Sequence, residues 1–107
     1  MIKIIPFQDY SDFENPKTLY RKYDTNAAKL IESYIYETGT DKELIEDLYR
    51  TQKGEWFLAG TGGIDSKYAK GENITVLTEA EALQWLVDHA PASSTIADYF
   101  ADRIVDA

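Results

Sequence analysis

Cysteine is absent from the sequence, and histidine is nearly so, since His89 is the single example. The absence of cysteine excludes disulfide bonds, thiolate metal sites and cysteine nucleophiles, and it permits a reducing compartment. A catalytic triad would have one candidate base, at the predicted end of a helix. We expect His89 to be a structural residue favoured there by the helix dipole rather than a catalyst.

Long hydrophobic runs are also missing. The opening residues Met1–Pro6 are too short for the apolar core of a signal peptide, and no later stretch approaches the roughly 20 apolar residues of a membrane span. We therefore expect a cytoplasmic protein that contacts no membrane. Nothing in the sequence requires a cofactor.

Basic residues are scarce relative to acidic ones, with 11 Lys and Arg against 19 Asp and Glu and a net charge of −8. Residues 15–70 hold nine acidic and nine basic side chains, so the acidic excess lies at the two ends of the sequence. Non-specific nucleic-acid binding needs clustered Lys and Arg. We therefore expect no direct nucleic-acid contact, and instead a protein partner with a basic surface.

A chain of 107 residues has the length of one domain. Its first strands are predicted from short runs of β-favouring residues. Residues 2–5 predict a strand that Pro6 ends. Phe7, Tyr10 and Phe13 recur every three residues, which predicts a helical turn with its aromatic side chains on the core. Residues 17–23 favour a strand, and the side-chain oxygens of Asp24–Asn26 suit a turn or a helix cap.

Two segments, residues 27–36 and 41–48, fit a helix or a strand. Their β-branched and aromatic residues favour a strand at about 30–36. A helix over 41–48 would put Glu43, Glu46 and Asp47 on one solvated face. Together with Asp41 they are the nearest approach to a carboxylate metal cluster, and we expect no metal site.

The central segment predicts a β-hairpin. Tyr49–Thr51 and Glu55–Ala59 flank a short loop in which Gly54 suits a positive φ angle. Both faces of the second strand are apolar, which predicts a central position in the sheet. Gly60–Gly63 are expected to break this strand, with positive φ angles as the simplest reason for glycine.

The last third predicts a strand at 74–77 and then helices. Thr78–Glu81 is a capping box that begins a helix ending near Pro91, and Thr95–Asp98 repeats the capping pattern before a last amphipathic helix. We predict one α+β domain over residues 1–107, with an acidic helical extension at about 92–107. Its mainly antiparallel sheet of about four to six short strands is packed by one or two C-terminal helices.

Two groups of residues are candidate binding sites. The glycine-rich loop, with Gly62, Gly63, Lys67 and Tyr68, could hold an anion or a partner, although it lacks the Lys-Ser/Thr ending of a phosphate-binding loop. The alternative is that Tyr68 anchors this loop on the core.

The acidic end supplies the second candidate. Asp98, Asp102 and Asp106 are spaced to form a row about 6 Å apart on one face of the last helix. With Glu79 and Asp88 they form the predicted partner-binding surface, which could pair with arginines lining a groove. The alternative is a helix face that is merely solvated.

Several of these motifs together resemble a known family. They are Lys22–Lys29, Leu48–Arg50, Gly54–Leu58, Gly62–Gly63, Tyr68–Ala69 and Leu77–Trp85. The segment from about Lys17 to Leu86 is similar to a family of small uncharacterised proteins encoded on plasmids, phages and conjugative elements of low-GC Gram-positive bacteria. That family brings no catalytic residues to transfer. The sequence departs from it by a shorter loop between Tyr68 and Ile74 and an added helix after Pro91.

The resemblance and the charge distribution lead to one functional hypothesis. We expect a non-enzymatic, acidic protein of a mobile genetic element that binds another protein. Such a protein could inhibit a host defence nuclease, a CRISPR effector or a restriction enzyme, by covering the basic channel that holds nucleic acid. The alternatives are a small regulatory or assembly subunit, pairing with itself or another protein through a sheet edge, and an enzyme using carboxylates and Tyr68.

Overall fold

The computed structural model has six antiparallel strands in two sheets, followed by two helices. It describes residues 1–69 and 71–107, with only the backbone described at Glu72. This arrangement confirms the predicted α+β class. The elements in chain order are β1 (Ile2–Asp9), β2 (Lys17–Asp24), β3 (Lys29–Tyr36), β4 (Leu44–Arg50), β5 (Trp56–Gly62), β6 (Glu72–Leu77), α1 (Glu79–His89), α2 (Ser94–Phe100) and a short 3-10 turn (Ala101–Arg103).

The larger sheet is a meander in which β3, β4, β5 and β6 pair in that order. β5 pairs with β4 on one side and β6 on the other, and residues 56–60 are all buried. The predicted hairpin and its central second strand are therefore confirmed. At the turn, Gly54 has a φ angle of +87°, which an L side chain rarely adopts.

The apolar core lies on both faces of this sheet. On one face Leu48, Trp56 and Leu58 pack against Trp85 and Leu86 of α1, and Phe100 of α2 completes the cluster. On the other face a second cluster joins three residues of β5 and β6 to one of β2: Phe57, Ala59, Ile74 and Tyr23. Two-sided burial explains why β5 has no polar alternation.

The β1–β2 hairpin packs on the sheet through its base alone and projects away from it. Met1, Ile5 and Tyr23 reach the second cluster, whereas Phe13 near the tip is 87% exposed. The projection makes the molecule 53 × 41 × 21 Å, with a radius of gyration of 16.3 Å. A compact domain of this length would have about 13 Å.

The predicted helical turn at Phe7, Tyr10 and Phe13 is wrong. Phe7 lies within β1, which continues through Pro6, while Tyr10 and Phe13 are exposed in the tip that reverses the chain. The carboxylates of Asp9 and Asp12 accept backbone N–H groups two residues ahead, at Ser11 and Glu14, which stabilises a turn instead of a helix.

The two segments that fit either a helix or a strand, residues 27–36 and 41–48, form strands wherever they have regular secondary structure. The preferred strand near 30–36 is confirmed as β3. The chain reverses in a turn before β3, where the Asp24 carboxylate accepts a hydrogen bond from the Asn26 backbone N–H. In 41–48 the helical alternative is wrong from Leu44 onward. β4 pairs with strands on both sides, and these inter-strand hydrogen bonds decide its conformation.

α1 begins with the predicted capping box. The Thr78 hydroxyl accepts from the Glu81 backbone N–H at 3.1 Å, and the Glu81 carboxylate accepts from the Thr78 N–H at 2.9 Å. α1 ends at His89, two residues before Pro91. The described helices include none with the length and apolar character needed to cross a membrane.

Replacing Thr78 by alanine is expected to lower the free energy of unfolding by about 1 kcal/mol, because the Glu81 backbone N–H in the first turn of α1 loses its capping acceptor. Urea denaturation measures this change. Thr78→Ser keeps the hydroxyl and should recover most of the loss. Equal costs for the two variants would show that the cap does not stabilise α1.

α2 is shorter than predicted and begins earlier. Its N-cap is Ser93, whose hydroxyl accepts from the Thr95 N–H at 3.1 Å, so Thr95 lies inside the helix and does not cap it. The Ser93 hydroxyl also donates to Glu32 of β3 at 2.5 Å. This contact ties the start of α2 to the sheet.

Candidate functional site

The most acidic surface of the described chain is its helical layer, by which we mean residues 79–107. It contains six acidic side chains and one arginine, Arg103. All six carboxylates are exposed: Glu79, Glu81, Asp88, Asp98, Asp102 and Asp106. The sheet segment 15–70 has no net charge, so the asymmetry gives this layer a strong negative potential.

The predicted row of three aspartates on one helix is wrong in its geometry. Asp98 is on α2, but α2 ends at Phe100, Asp102 lies in the 3-10 turn and Asp106 follows that turn. Phe100 is the last buried residue, and residues 101–107 are all exposed. A longer helix would gain no tertiary packing, and short helices need such packing to persist.

The carboxylates of the helical layer differ in their partners. Glu79 pairs with Arg103 at 3.5 Å, an exposed contact of little energetic weight, and Asp88 accepts from Gln84 at 2.9 Å. Glu81 caps α1. Asp98, Asp102 and Asp106 have no intramolecular hydrogen bond or ion pair in the part of the chain that the structure describes. These three are therefore available for a partner.

The glycine-rich loop covers a buried carboxylate that the sequence reasoning treated as solvated. Glu46 is 2% exposed on β4, facing α1. Its carboxylate accepts from the Tyr68 hydroxyl at 2.5 Å and the Trp85 indole N–H at 3.2 Å, and it pairs with the Lys67 ammonium at 2.7 Å. Glu46, Lys67, Tyr68 and Trp85 form what we call the Glu46 network.

Alternation along β4 is the signal that could have found Glu46. In a strand, residues two apart share a face, so Glu46 lies on the same face as the fully buried Leu48. The helical interpretation of residues 41–48 hid this relation. Lys67 and Tyr68 were identified, but both head groups are bound to Glu46, in keeping with the alternative that Tyr68 anchors the loop.

Close approach, and not a positive φ angle, explains the glycines of this loop. Positive φ among the described glycines occurs at Gly39 and Gly54. A Cβ atom at Gly60 would lie 1.9 Å from Cζ of Tyr68, one at Gly62 would lie 2.1 Å from the Ser66 hydroxyl, and one at Gly63 would lie 2.5 Å from a backbone carbonyl. Because these residues remain extended, β5 runs through Gly62 instead of ending at Ala59.

Ionisation of the Glu46 network follows from its contacts. Burial raises the pKa of Glu46, but the hydrogen bonds from Lys67, Tyr68 and Trp85 and the charge of Lys67 outweigh burial, so the pKa is lowered. The pKa of Tyr68 is raised by burial and by the hydrogen bond and negative charge of Glu46. The carboxylate is therefore charged and the phenol neutral at pH 7.

The network predicts two pH limits on stability. A lowered Glu46 pKa stabilises the fold above the ordinary value of 4.5, and this contribution disappears as the pH falls through the lowered value. A raised Tyr68 pKa stabilises the fold below the ordinary value of 10.0, and this contribution declines as the pH rises above 10.0. Chemical denaturation across pH, compared with Tyr68→Phe, measures both limits. An alkaline decline unchanged in Tyr68→Phe would contradict the assignment.

Two further chemical candidates are His89 and the carboxylates near Asp41. His89 Nδ1 lies 2.9 Å from the Trp85 carbonyl oxygen, and its ring stacks on Trp85 and packs against Tyr34 with centroids 4.8 and 4.5 Å away. Among the side chains that the structure describes, no three potential metal ligands come together, including those near Asp41 and Asp47.

Comparison with known proteins identified no relative of this chain. A scan of protein-family models and searches of curated proteins and solved structures found no match to the chain.

Proposed function

We propose that this is a non-enzymatic protein of a mobile genetic element that binds a basic protein surface through its helical layer, and that the partner is a host defence nuclease. The observation that carries the proposal is the charge asymmetry. Six exposed carboxylates accompany one arginine in residues 79–107, while the sheet segment 15–70 is neutral. A surface of this kind attracts Lys and Arg side chains and repels nucleic acid.

Inhibition would follow from competition for a basic channel. A CRISPR effector or restriction enzyme lines its channel with cations that hold phosphates, and carboxylates can occupy the same cations. Asp98, Asp102 and Asp106, which lack intramolecular partners among the described residues, would make the strongest contacts. They lie on a helix, in a 3-10 turn and in the irregular segment after it, so the contact is an irregular patch and not a helical row.

A plasmid-interference assay tests this proposal. Cells carrying a CRISPR or restriction system are transformed with its target plasmid, with and without the protein. We expect the protein to raise transformation efficiency against at least one system. The triple variant Asp98→Lys, Asp102→Lys, Asp106→Lys should lose most of this protection, because opposite charges become like charges facing a basic channel.

A matched control separates local from total charge. Glu14→Lys, Asp41→Lys, Asp65→Lys makes the same change in net charge at exposed positions outside the helical layer. This control should retain protection. The proposal fails if both triple variants lose protection equally, or if the protein protects against none of the systems.

The β1–β2 hairpin favours a second candidate, an assembly subunit that pairs with another copy of itself. Ile4 and Tyr20 are 59% and 66% exposed, and Pro6 lies between them on the same outer face. A two-stranded ribbon is marginally stable alone, and pairing would cover this face and its open strand edges. Sedimentation should then show dimers that Ile4→Lys dissociates. A monomer at all concentrations rules this out.

A further inference from the structure

A cavity of about 430 Å³ lies on the side of the molecule where β3 begins, β4 ends and α2 packs on the sheet. It opens beside a larger cleft of about 780 Å³ under the β1–β2 hairpin, and the two share Ala27, Ala28, Thr51 and Gln52. The smaller cavity is completed by Lys29, Arg50 and Tyr99, so its lining has two cations and no carboxylate. We call it the Arg50 cavity.

The guanidinium of Arg50 lies against two aromatic rings and not against an acid. Its guanidinium carbon lies 5.2 Å from the Trp56 ring centroid and 5.0 Å from that of Tyr99. No ion pair to Arg50 is found in the described parts of the chain, and its buried Nε–H has no acceptor there. Buried arginines ordinarily have hydrogen-bonded acceptors, so a pre-oriented arginine without one is suited to an external anion.

Lys29 brings a second positive charge to the same ring. Its ammonium donates to the Tyr99 hydroxyl at 3.3 Å and lies 6.0 Å from the Tyr99 ring centroid. Two cations therefore converge on one tyrosine without a carboxylate in the cavity lining. This placement is unexpected in a protein with a net charge of −8, because neutralising acids are abundant elsewhere.

We propose that the Arg50 cavity binds an oxyanion, a phosphate or carboxylate group, of a small organic ligand whose apolar part extends into the adjoining cleft. Arg50 supplies a planar fork for two oxygens, and Lys29 supplies a mobile point charge. The cleft offers apolar surface from Phe7, Leu19 and Tyr20. Each of the two volumes, about 780 and 430 Å³, is of the size that takes small molecules. Tyr99 is the one lining residue that belongs to the helical layer, and the site does not depend on the proposed function of that layer.

Titration of the isotope-labelled full-length protein with phenyl phosphate, and separately with benzoate, tests the site. Ionic strength is held constant, and the NMR signals of Arg50 Nε–H and the Trp56 indole are followed. We expect saturable shifts at both signals with at least one probe. Saturation with phenyl phosphate alone assigns a phosphate ligand, and saturation with benzoate alone assigns a carboxylate.

Two variants and one control make the result decisive. Lys29→Gln should weaken binding about tenfold, the typical cost of losing a charged hydrogen bond. Arg50→Lys keeps the charge but loses the fork, and it should weaken binding at least as much. The control Lys42→Gln removes an exposed cation that is not in the lining. Shifts that never saturate with either probe, or affinities equal in Lys29→Gln and Lys42→Gln, would overturn the proposal.

Discussion

Replacing Glu46 by alanine is expected to lower the free energy of unfolding by about 3 kcal/mol, the cost of leaving two buried donors without an acceptor. Those donors are the Trp85 indole N–H and the Tyr68 hydroxyl. Urea denaturation at neutral pH measures the loss. Glu46→Gln retains an acceptor oxygen for one donor and removes the charge that pairs with Lys67, so its cost should be smaller.

Asp47→Ala is the matched control for this prediction. Asp47 is the next residue of β4 and faces the opposite side of the sheet, where its carboxylate has no hydrogen bond or ion pair among the described residues. Because Asp47 is half-buried and has no such partner, its replacement should cost no more than about 1 kcal/mol. Equal losses for Glu46→Ala and Asp47→Ala would show that the Glu46 network does not stabilise the fold.

Replacing Gly60 by alanine should be strongly disruptive for a change of one methyl group. The new Cβ atom would lie 1.9 Å from Cζ of Tyr68, so the phenol ring would have to move. Movement of the ring breaks its hydrogen bond to Glu46, and we expect a loss of about 3 kcal/mol from overpacking and the broken bond together. Thermal or urea unfolding gives the value.

The same substitution in a Tyr68→Ala background provides the control. With the ring removed, the added methyl group has space, and the cost of Gly60→Ala should fall to about 1 kcal/mol or less. A cost that is unchanged by Tyr68→Ala would mean that the backbone, and not the ring, requires glycine at this position. Close packing of Tyr68 on Gly60 would then not explain the glycine.

Features with a local physical cause were predictable from the sequence. The turn at Gly54 requires a positive φ angle, and the Thr78 capping box is defined by residues three apart, so neither depends on distant parts of the chain. The central position of β5 also followed from its own apolar pattern. These elements are sufficient to locate the core and to assign the α+β class.

Features determined by distant contacts were not predictable in the same way. The spacing of Phe7, Tyr10 and Phe13 fits a helix, but nothing in the described fold packs against the hairpin tip and would stabilise a helix there. The sequence pattern predicts a helix through Asp106, but α2 ends six residues earlier because burial stops at Phe100. The Glu46 network joins residues up to 39 positions apart, which no local pattern reveals.

Binding of a defence nuclease by the helical layer is most directly tested with purified components. The measurement is the affinity of the protein for each of a panel of CRISPR effectors and restriction enzymes, at low and physiological salt. We predict tight binding to at least one nuclease, weakening as salt rises because exposed charges are screened beyond about 8 Å. Asp98→Lys, Asp102→Lys, Asp106→Lys should abolish it. Affinity unaffected by both salt and these substitutions, or binding to no nuclease, would contradict the proposal.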